Sequence, residues 1–230
     1  MISCVISYFH SMKKVIFVTF GLISLLFGLT ACAARYDYTQ HLSEVKRDIF
    51  LASTEEFSVT LSCISREHPY ASDGISCPMT SIGEVTLVAK SGASSDYSVY
   101  VLGEETWGGE MSFRSVEDDW FYSASMQTFP QNTVTLRVEW EDETREFVAT
   151  SVKNEHTMSA EEALEKAIEH EKDYIARLTQ DGVFEGEFRV RLLRRDVNYY
   201  YVGIVAKDGS VLALLLNAES GEVLARREPA

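Results

Sequence analysis

The stretch Phe57-Ser58-Val59-Thr60-Leu61-Ser62-Cys63 alternates apolar residues with small polar ones. Successive side chains of a β-strand point to opposite faces of the sheet, so this period of two predicts a half-buried strand. Similar runs recur as far as residue 152, with polar or glycine-bearing turns between them. We predict that they form further strands over residues 83–90, 97–102, 107–113, 120–126, 133–140 and 145–152.

Many short strands with regular turns are typical of a sandwich or a barrel. We therefore predict that residues 55–152 form one all-β domain of the sandwich-like kind. Residues 32–54 precede it as a tether, in which Leu42, Val45 and Ile49 have helical spacing and predict a short helix or turn over residues 41–51.

The pattern changes after residue 152, where residues 153–158 form a polar linker. Ser159-Ala160-Glu161-Glu162 is a capping-box sequence, which predicts a helix from Ser159 to about Leu178. Strands are predicted over residues 184–193, 199–206, 210–217 and 222–226, and Asp208-Gly209 between the middle two suits a type I′ turn. Residues 159–230 are therefore predicted to be α+β, with the helix packed on an antiparallel sheet.

The N-terminal segment has the pattern of an export signal. Lys13-Lys14 is a basic n-region, and the apolar run over residues 15–27 is shorter than the roughly 20 residues that span a bilayer. Residues 1–11 carry no Lys, Arg, Asp or Glu and precede the basic region, so we expect translation to start at Met12. Residues 1–31 are predicted to be a signal peptide.

Leu29-Thr30-Ala31-Cys32 resembles the lipobox of bacterial lipoproteins. The resemblance implies that the chain is cut before Cys32 and that Cys32 receives, through its sulfur, a diacylglyceryl group with acyl chains such as palmitate. Two such chains anchor a protein stably. The protein is thus expected at the cell membrane, lipid-anchored and facing outside the cytoplasm. The alternative is an ordinary signal peptide cut near Ala31.

The C-terminal part resembles the PepSY module of secreted peptidase propeptides and bacterial envelope proteins. Two segments carry the resemblance: residues 159–167, which open the helix, and residues 217–224, which end a hairpin. Asn217 stands where the family usually has an aspartate, and residues 188–195 are unusually basic. The resemblance implies that this part binds or inhibits a protein outside the membrane.

Charge excludes some partners. The whole chain has 21 basic and 35 acidic residues, and a signal peptide over residues 1–31 removes two lysines and no acid, which leaves a net charge of −16. Such a balance argues against binding to nucleic acid or to an anionic surface. The negative net charge keeps the protein soluble and repels it from the membrane surface. The alternative is that it attracts a cationic partner.

Apart from Cys4 and Cys32, the chain has two cysteines, Cys63 and Cys77. In an exported protein they can form a disulfide, worth about 3 kcal/mol for a loop of this size, or remain two thiols. His68 lies between them, but the set lacks a Cys-x-x-Cys spacing and a fourth ligand. We therefore predict no metal site and no cofactor.

The sequence contains no Gly-x-Ser-x-Gly elbow, no P-loop, no His-Glu-x-x-His motif and no EF-hand loop. Three constellations stand out: acid beside aromatics at residues 117–122, three tyrosines at residues 199–201, and arginines on the last strands. We interpret the first as a solvated turn before a strand, and the alternative is a site for a cation or a sugar. We interpret the second as β propensity with at least one ring outward. The arginines are expected to pair with the acidic helix over residues 161–171, and the alternative is that they form a basic face on an acidic protein. They are Arg189, Arg191, Arg194, Arg195, Arg226 and Arg227.

The sequence favours a non-catalytic binding or regulatory module at the cell envelope, with an envelope protein as a possible partner. One alternative is a structural envelope component without a discrete ligand. Another is a hydrolase whose active site is assembled from residues distant in sequence.

Overall fold

The computed structural model describes residues 36–68, 77–90, 94 and 96–229. They are mainly β, with two short helices near the C-terminus and a 3-10 turn at Tyr38–His41. No helix within these residues has the length and the apolar character needed to cross a bilayer.

The strands of the first part are β1 (Leu42–Ser53), β2 (Phe57–Glu67), β3 (Met79–Ala89), β4 (Ser98–Leu102), β5 (Trp107–Glu110), β6 (Ser112–Arg114), β7 (Asp119–Ser125), β8 (Thr133–Trp140) and β9 (Glu143–Ser151). They are followed by α1 (Ala160–His170), α2 (Lys172–Arg177), β10 (Thr179–Gln180), β11 (Val183–Phe184), β12 (Gly186–Arg194), β13 (Asn198–Ala206), β14 (Val211–Asn217) and β15 (Val223–Arg227).

The first nine strands form a nearly closed antiparallel sheet. On one side of β1 the order is β2, β3, β7, and on the other side it is β9, β8, β4. Closure comes from one bent segment, because β5 pairs with β4 and β6 pairs with β7. The bend is at Met111, whose N–H donates to the Tyr97 carbonyl at 2.8 Å. The predicted class, mainly β with an α+β C-terminal part, is confirmed, and the sheet of the β part is nearly closed on itself.

The alternation seen in the sequence fills the inside of this closed sheet. The apolar residues of the stretch over residues 57–63 all point inward, whereas Ser58, Thr60 and Ser62 point to the other face of the sheet, where Ser62 is also buried. The core is formed by Phe50, Phe57, Val59, Leu61, Cys63, Val85, Leu87, Tyr97, Val99, Val101, Met111, Val134, Leu136, Val138 and Ala149.

The C-terminal strands extend the same sheet. The first half of β1 pairs with β12 in parallel, and β12 to β15 continue as an antiparallel sheet. Helix α1 covers one face of these strands, as predicted, with Ala163, Leu164 and Ala167 buried on that side of the helix. The strand residues fully buried on that face include Phe188, Val190, Leu192, Tyr200, Val202, Ile204, Leu212, Leu214 and Leu216.

The capping box of α1 is confirmed. The Ser159 hydroxyl accepts from the Glu162 N–H at 3.1 Å, and the Glu162 carboxylate accepts from the Ser159 N–H at 2.7 Å. The helix predicted over residues 159–178 is interrupted at Glu171, which has φ −106° and ψ 30° and separates α1 from α2.

Two local predictions are wrong. The short helix or turn expected over residues 41–51 is strand β1, because pairing with β2, β9 and β12 outweighs weak helical spacing. The turn at residues 207–210 is not type I′, since only Gly209, and not Asp208, has a positive φ.

Thr39–Ala230 form one compact unit. The predicted linker at residues 153–158 is tied to the C-terminal sheet, because the Met158 N–H donates to the Ala218 carbonyl at 2.9 Å and the Tyr200 hydroxyl donates to the Met158 carbonyl at 2.9 Å. The polar segment at residues 153–158 therefore marks a change of architecture within this unit.

Candidate functional site

Cys32, the predicted lipidation site, lies outside the described residues, as do Cys4 and the whole lipobox. The remaining sequence-predicted residues can be placed. His68 directly follows β2, and its N–H donates to the Pro78 carbonyl at 3.3 Å. Within the described ranges, no group of three or more His, Cys, Asp or Glu side chains is arranged to hold a metal ion.

Cys63 and Cys77 are two free thiols. Cys63 is fully buried on β2, four positions before Glu67, and the Glu67 carboxylate accepts from the Cys77 N–H at 3.0 Å. Four strand positions span about 13 Å, whereas a disulfide needs Cα atoms within about 7 Å. Cys63 and Cys77 are therefore two unpaired thiols in the structure, and not a disulfide. Burial, together with the nearby charge of Asp48, raises the pKa of the Cys63 thiol to about 12.

The acidic and aromatic stretch at residues 117–122 is a turn that leads into β7, as interpreted from the sequence. Asp118 has a positive φ of 55° in this turn. Asp119 is buried and accepts two hydrogen bonds from Arg114, both at 2.7 Å, while the Arg114 guanidinium lies 4.4 Å from the centroid of the Phe121 ring. The carboxylate that looked available for a ligand is therefore occupied within the hairpin.

The arginines of the last strands do not form one basic face. Arg191 donates to Glu44 on β1 at 2.6 and 2.9 Å, and Arg226 donates to Glu171 at the end of α1 at 2.6 and 3.2 Å. The expected pairing with the acidic helix is thus realised by Arg226, whereas Arg191 pairs across the parallel β1–β12 ladder.

Of the three consecutive tyrosines, Tyr200 is fully buried on β13, the strand that contacts α1. Tyr199 and Tyr201 point to the opposite face of the sheet and are half-buried there. The expected outward orientation is confirmed for these two.

A polar recess of about 350 Å³ lies where β1, β2 and β12 meet. Its charged side chains are largely engaged: Glu44 with Arg191, Glu67 with the Cys77 N–H, and Arg189 with Glu187 at 3.3 Å. Its lining is Ser43, Glu44, Arg66, Glu67, His68 and Arg189.

The candidate binding site is a different cavity, of about 230 Å³, at one end of the closed sheet. It lies between the turn that joins β4 to β5 and the segment that joins β7 to β8. Val101 and Val134 are buried core residues beneath it. We call it the Trp107 cavity, and its lining is Val101, Leu102, Gly103, Glu104, Glu105, Trp107, Met126, Gln127, Thr128, Phe129, Pro130 and Val134.

Trp107 is held rigidly in this cavity. Its ring stacks on Tyr122, with centroids 6.2 Å apart and planes at 22°, and the Tyr122 hydroxyl donates to the Gly108 carbonyl at 2.9 Å. The far edge of the indole lies against Gly83 on β3, where a Cβ would come within 2.7 Å of the indole Cζ2. Gly83 therefore makes the space that the indole fills.

The rim of the cavity is acidic. Glu104 and Glu105 are exposed in the β4–β5 turn, and none of the described residues that line the cavity is lysine, arginine or histidine. Gln127 and Thr128 supply polar groups from the β7–β8 segment. An aromatic wall, an apolar floor and a few polar groups are the usual composition of a ligand site.

The sequence analysis did not identify this site. The signal that was available is Trp107-Gly108-Gly109, a large aromatic residue followed by two glycines in a strand. Glycine within a strand often marks a place where a ligand or another chain segment approaches the backbone closely. No family model, no curated protein and no solved structure matches this chain.

Proposed function

We propose that this protein is a lipoprotein anchored to the cell membrane through Cys32 and facing outside the cytoplasm, and that its folded part is a non-catalytic binding module. The lipobox over residues 29–32 supports the anchor. The Trp107 cavity is the single observation that carries the binding role, because it combines a rigid aromatic wall with an unpaired acidic rim.

The resemblance of residues 159–230 to PepSY modules belongs to the same proposal. A capped helix followed by antiparallel strands supports it. In this proposal the C-terminal part contributes to regulation of a protein partner outside the membrane.

The binding role is tested by site-specific photo-crosslinking in intact cells that produce the full chain. A crosslinker at Gln127 on the cavity rim is expected to trap a discrete species, and the substitution Trp107→Leu is expected to abolish it. The matched control is a crosslinker at Val116, which is 91% exposed in the turn between β6 and β7.

Equal crosslinking at residues 116 and 127, or a pattern unaffected by Trp107→Leu, would favour a structural envelope component without a discrete ligand. The anchor is tested separately, by metabolic labelling with a fatty-acid probe. Cys32→Ser is expected to lose the label and to accumulate as a precursor, whereas labelling that survives this substitution would contradict lipidation at Cys32.

A further inference from the structure

We propose that the Trp107 cavity binds an alkylammonium group of about the size of a lysine side chain. This inference rests on the proposed binding role and names the chemistry of the ligand. The ligand group is an aliphatic stem with a positively charged end, supplied by a free alkylamine or by a lysine of a partner protein.

Size argues for a small guest. A volume of about 230 Å³ falls below the range of about 300–1,000 Å³ that is usual for drug-sized ligands. It corresponds to the space of several water molecules at about 30 Å³ each. A single unbranched side chain fits such a volume, whereas a large rigid ligand does not.

The distribution of polarity matches a guest with one apolar and one charged end. Trp107, Met126, Phe129 and Pro130 supply apolar surface for an aliphatic stem. A lysine side chain buries its stem on such surface while its ammonium stays in a polar setting. An indole is also the aromatic ring that attracts a cation most strongly.

Charge selects a cation. Glu104 and Glu105 form no ion pair with any other residue that the structure describes, and the cavity lining adds no positive charge to offset them. The net charge of −14 on the whole chain adds a long-range attraction for cations and a repulsion for anions. Both the acidic rim and the negative net charge would repel an anionic ligand.

The test uses the indole N–H signals of Trp107, Trp120 and Trp140 in an NMR titration of the lipid-free protein, residues 33–230. Trp107→Phe assigns the Trp107 signal by its loss, and the other two indoles serve as internal controls. The probe is n-butylammonium chloride, and 1-butanol is the neutral control with a similar apolar stem.

The Trp107 signal is expected to shift saturably with n-butylammonium and about tenfold less effectively with 1-butanol. Glu104→Gln combined with Glu105→Gln is expected to weaken n-butylammonium binding several-fold and to reduce its salt dependence. The matched control is Glu117→Gln combined with Asp118→Asn in the distant β6–β7 turn, which is expected to leave binding unchanged.

Equal responses to 1-butanol and n-butylammonium would overturn the proposal, as would binding that is insensitive to the Glu104 and Glu105 substitutions. An acetylated and amidated lysine, compared with a free alkyldiamine, distinguishes the two sources of the ammonium group. If crosslinking at Gln127 succeeds while n-butylammonium fails to bind, the binding role stands and only the ligand chemistry is wrong.

Discussion

Gly83 lies opposite Cys63 on the inner face of the closed sheet, and its missing side chain makes room for the Trp107 indole. We expect Gly83→Ala to lower the free energy of unfolding by about 1–3 kcal/mol, because the added Cβ overlaps both the rigid indole and the Met126 Sδ at 2.6 Å. Urea denaturation measures the loss, and the Trp107 indole signal reports the displacement.

Gly103→Ala is the matched control. A Cβ at Gly103 would meet only the Glu105 carbonyl oxygen, at 3.9 Å, which is an ordinary contact. Its effect on stability is expected to be close to zero. Similar losses for the two variants would show that Gly83 does not position Trp107.

Also at the scale of single residues, the two thiols are expected to react very differently. Cys77 is partly exposed, whereas Cys63 is buried and has a pKa raised to about 12. Because the thiolate is the reactive form, the folded lipid-free protein, residues 33–230, is expected to take up one alkylating group at neutral pH, at Cys77, and a second only after unfolding. Mass spectrometry counts the groups, and Cys77→Ser should abolish native labelling. A native protein that takes up no alkylating group and lacks two protons would reveal a disulfide instead.

At the scale of elements, α1 depends on its N-terminal cap. Ser159→Ala removes the acceptor of the Glu162 N–H and is expected to lower the free energy of unfolding by about 1 kcal/mol. Ser115→Ala in an exposed turn is the control and should change stability by less than about 0.5 kcal/mol. Equal effects in urea denaturation would contradict a stabilising role for the cap.

The end of α1 predicts a dependence on pH. Burial alone would raise the pKa of the Glu171 carboxyl, but hydrogen bonds from Arg226 and contact with His170 outweigh it and lower the pKa. A lowered folded-state pKa adds stability above the unfolded value of about 4.3, and this stability is lost as the pH falls through the folded-state pKa.

Arg226→Gln is therefore expected to destabilise the protein at neutral pH and to flatten the loss of stability on acidification below about pH 4.3. Arg227→Gln removes the same charge from the neighbouring exposed position and serves as the control. The measurement is urea denaturation across the acid range. If Arg226→Gln loses stability on acidification in the same way as the unsubstituted protein, the Arg226–Glu171 ion pair does not cause this loss.

At the scale of the whole molecule, β1 joins the closed sheet to the C-terminal strands. Val45 is fully buried on β1, between Ser65 of β2 and Val190 of β12. We expect Thr39–Ala230 to unfold as one cooperative unit, because neither part keeps its edge strand covered without the other.

Two signals test this expectation separately. Trp107, Trp120 and Trp140 lie before residue 152, and helices α1 and α2 lie after it. Tryptophan fluorescence and helical circular dichroism therefore report on different parts of the described chain. Val45→Ala is expected to lower both transitions together, by about 1–3 kcal/mol, while the exposed Val148→Ala has little effect. Helical signal lost well before the fluorescence change would show two independent domains.

Local pattern by itself determined most elements of this protein. Strands β2, β3, β4, β7, β8, β9, β13 and β14, and the start of α1, follow from a period of two or from a capping box, because burial of one face imposes these periods on nearby residues. The mainly β class with an α+β end follows from the same signals. The expected lipid anchor at Cys32 likewise rests on sequence alone.

Only the tertiary structure decided how these elements join. The pairing of β1 with β12 links residues about 145 positions apart, and no local period encodes such a partner, so the helical spacing at residues 41–51 was misleading. The bend at Met111, which closes the sheet, depends on strands β4 and β7 that approach it from different sides. The Trp107 cavity exists because Gly83, Tyr122 and the β7–β8 segment come together in space. They are separated in sequence, so no local pattern predicts that they contact the same indole.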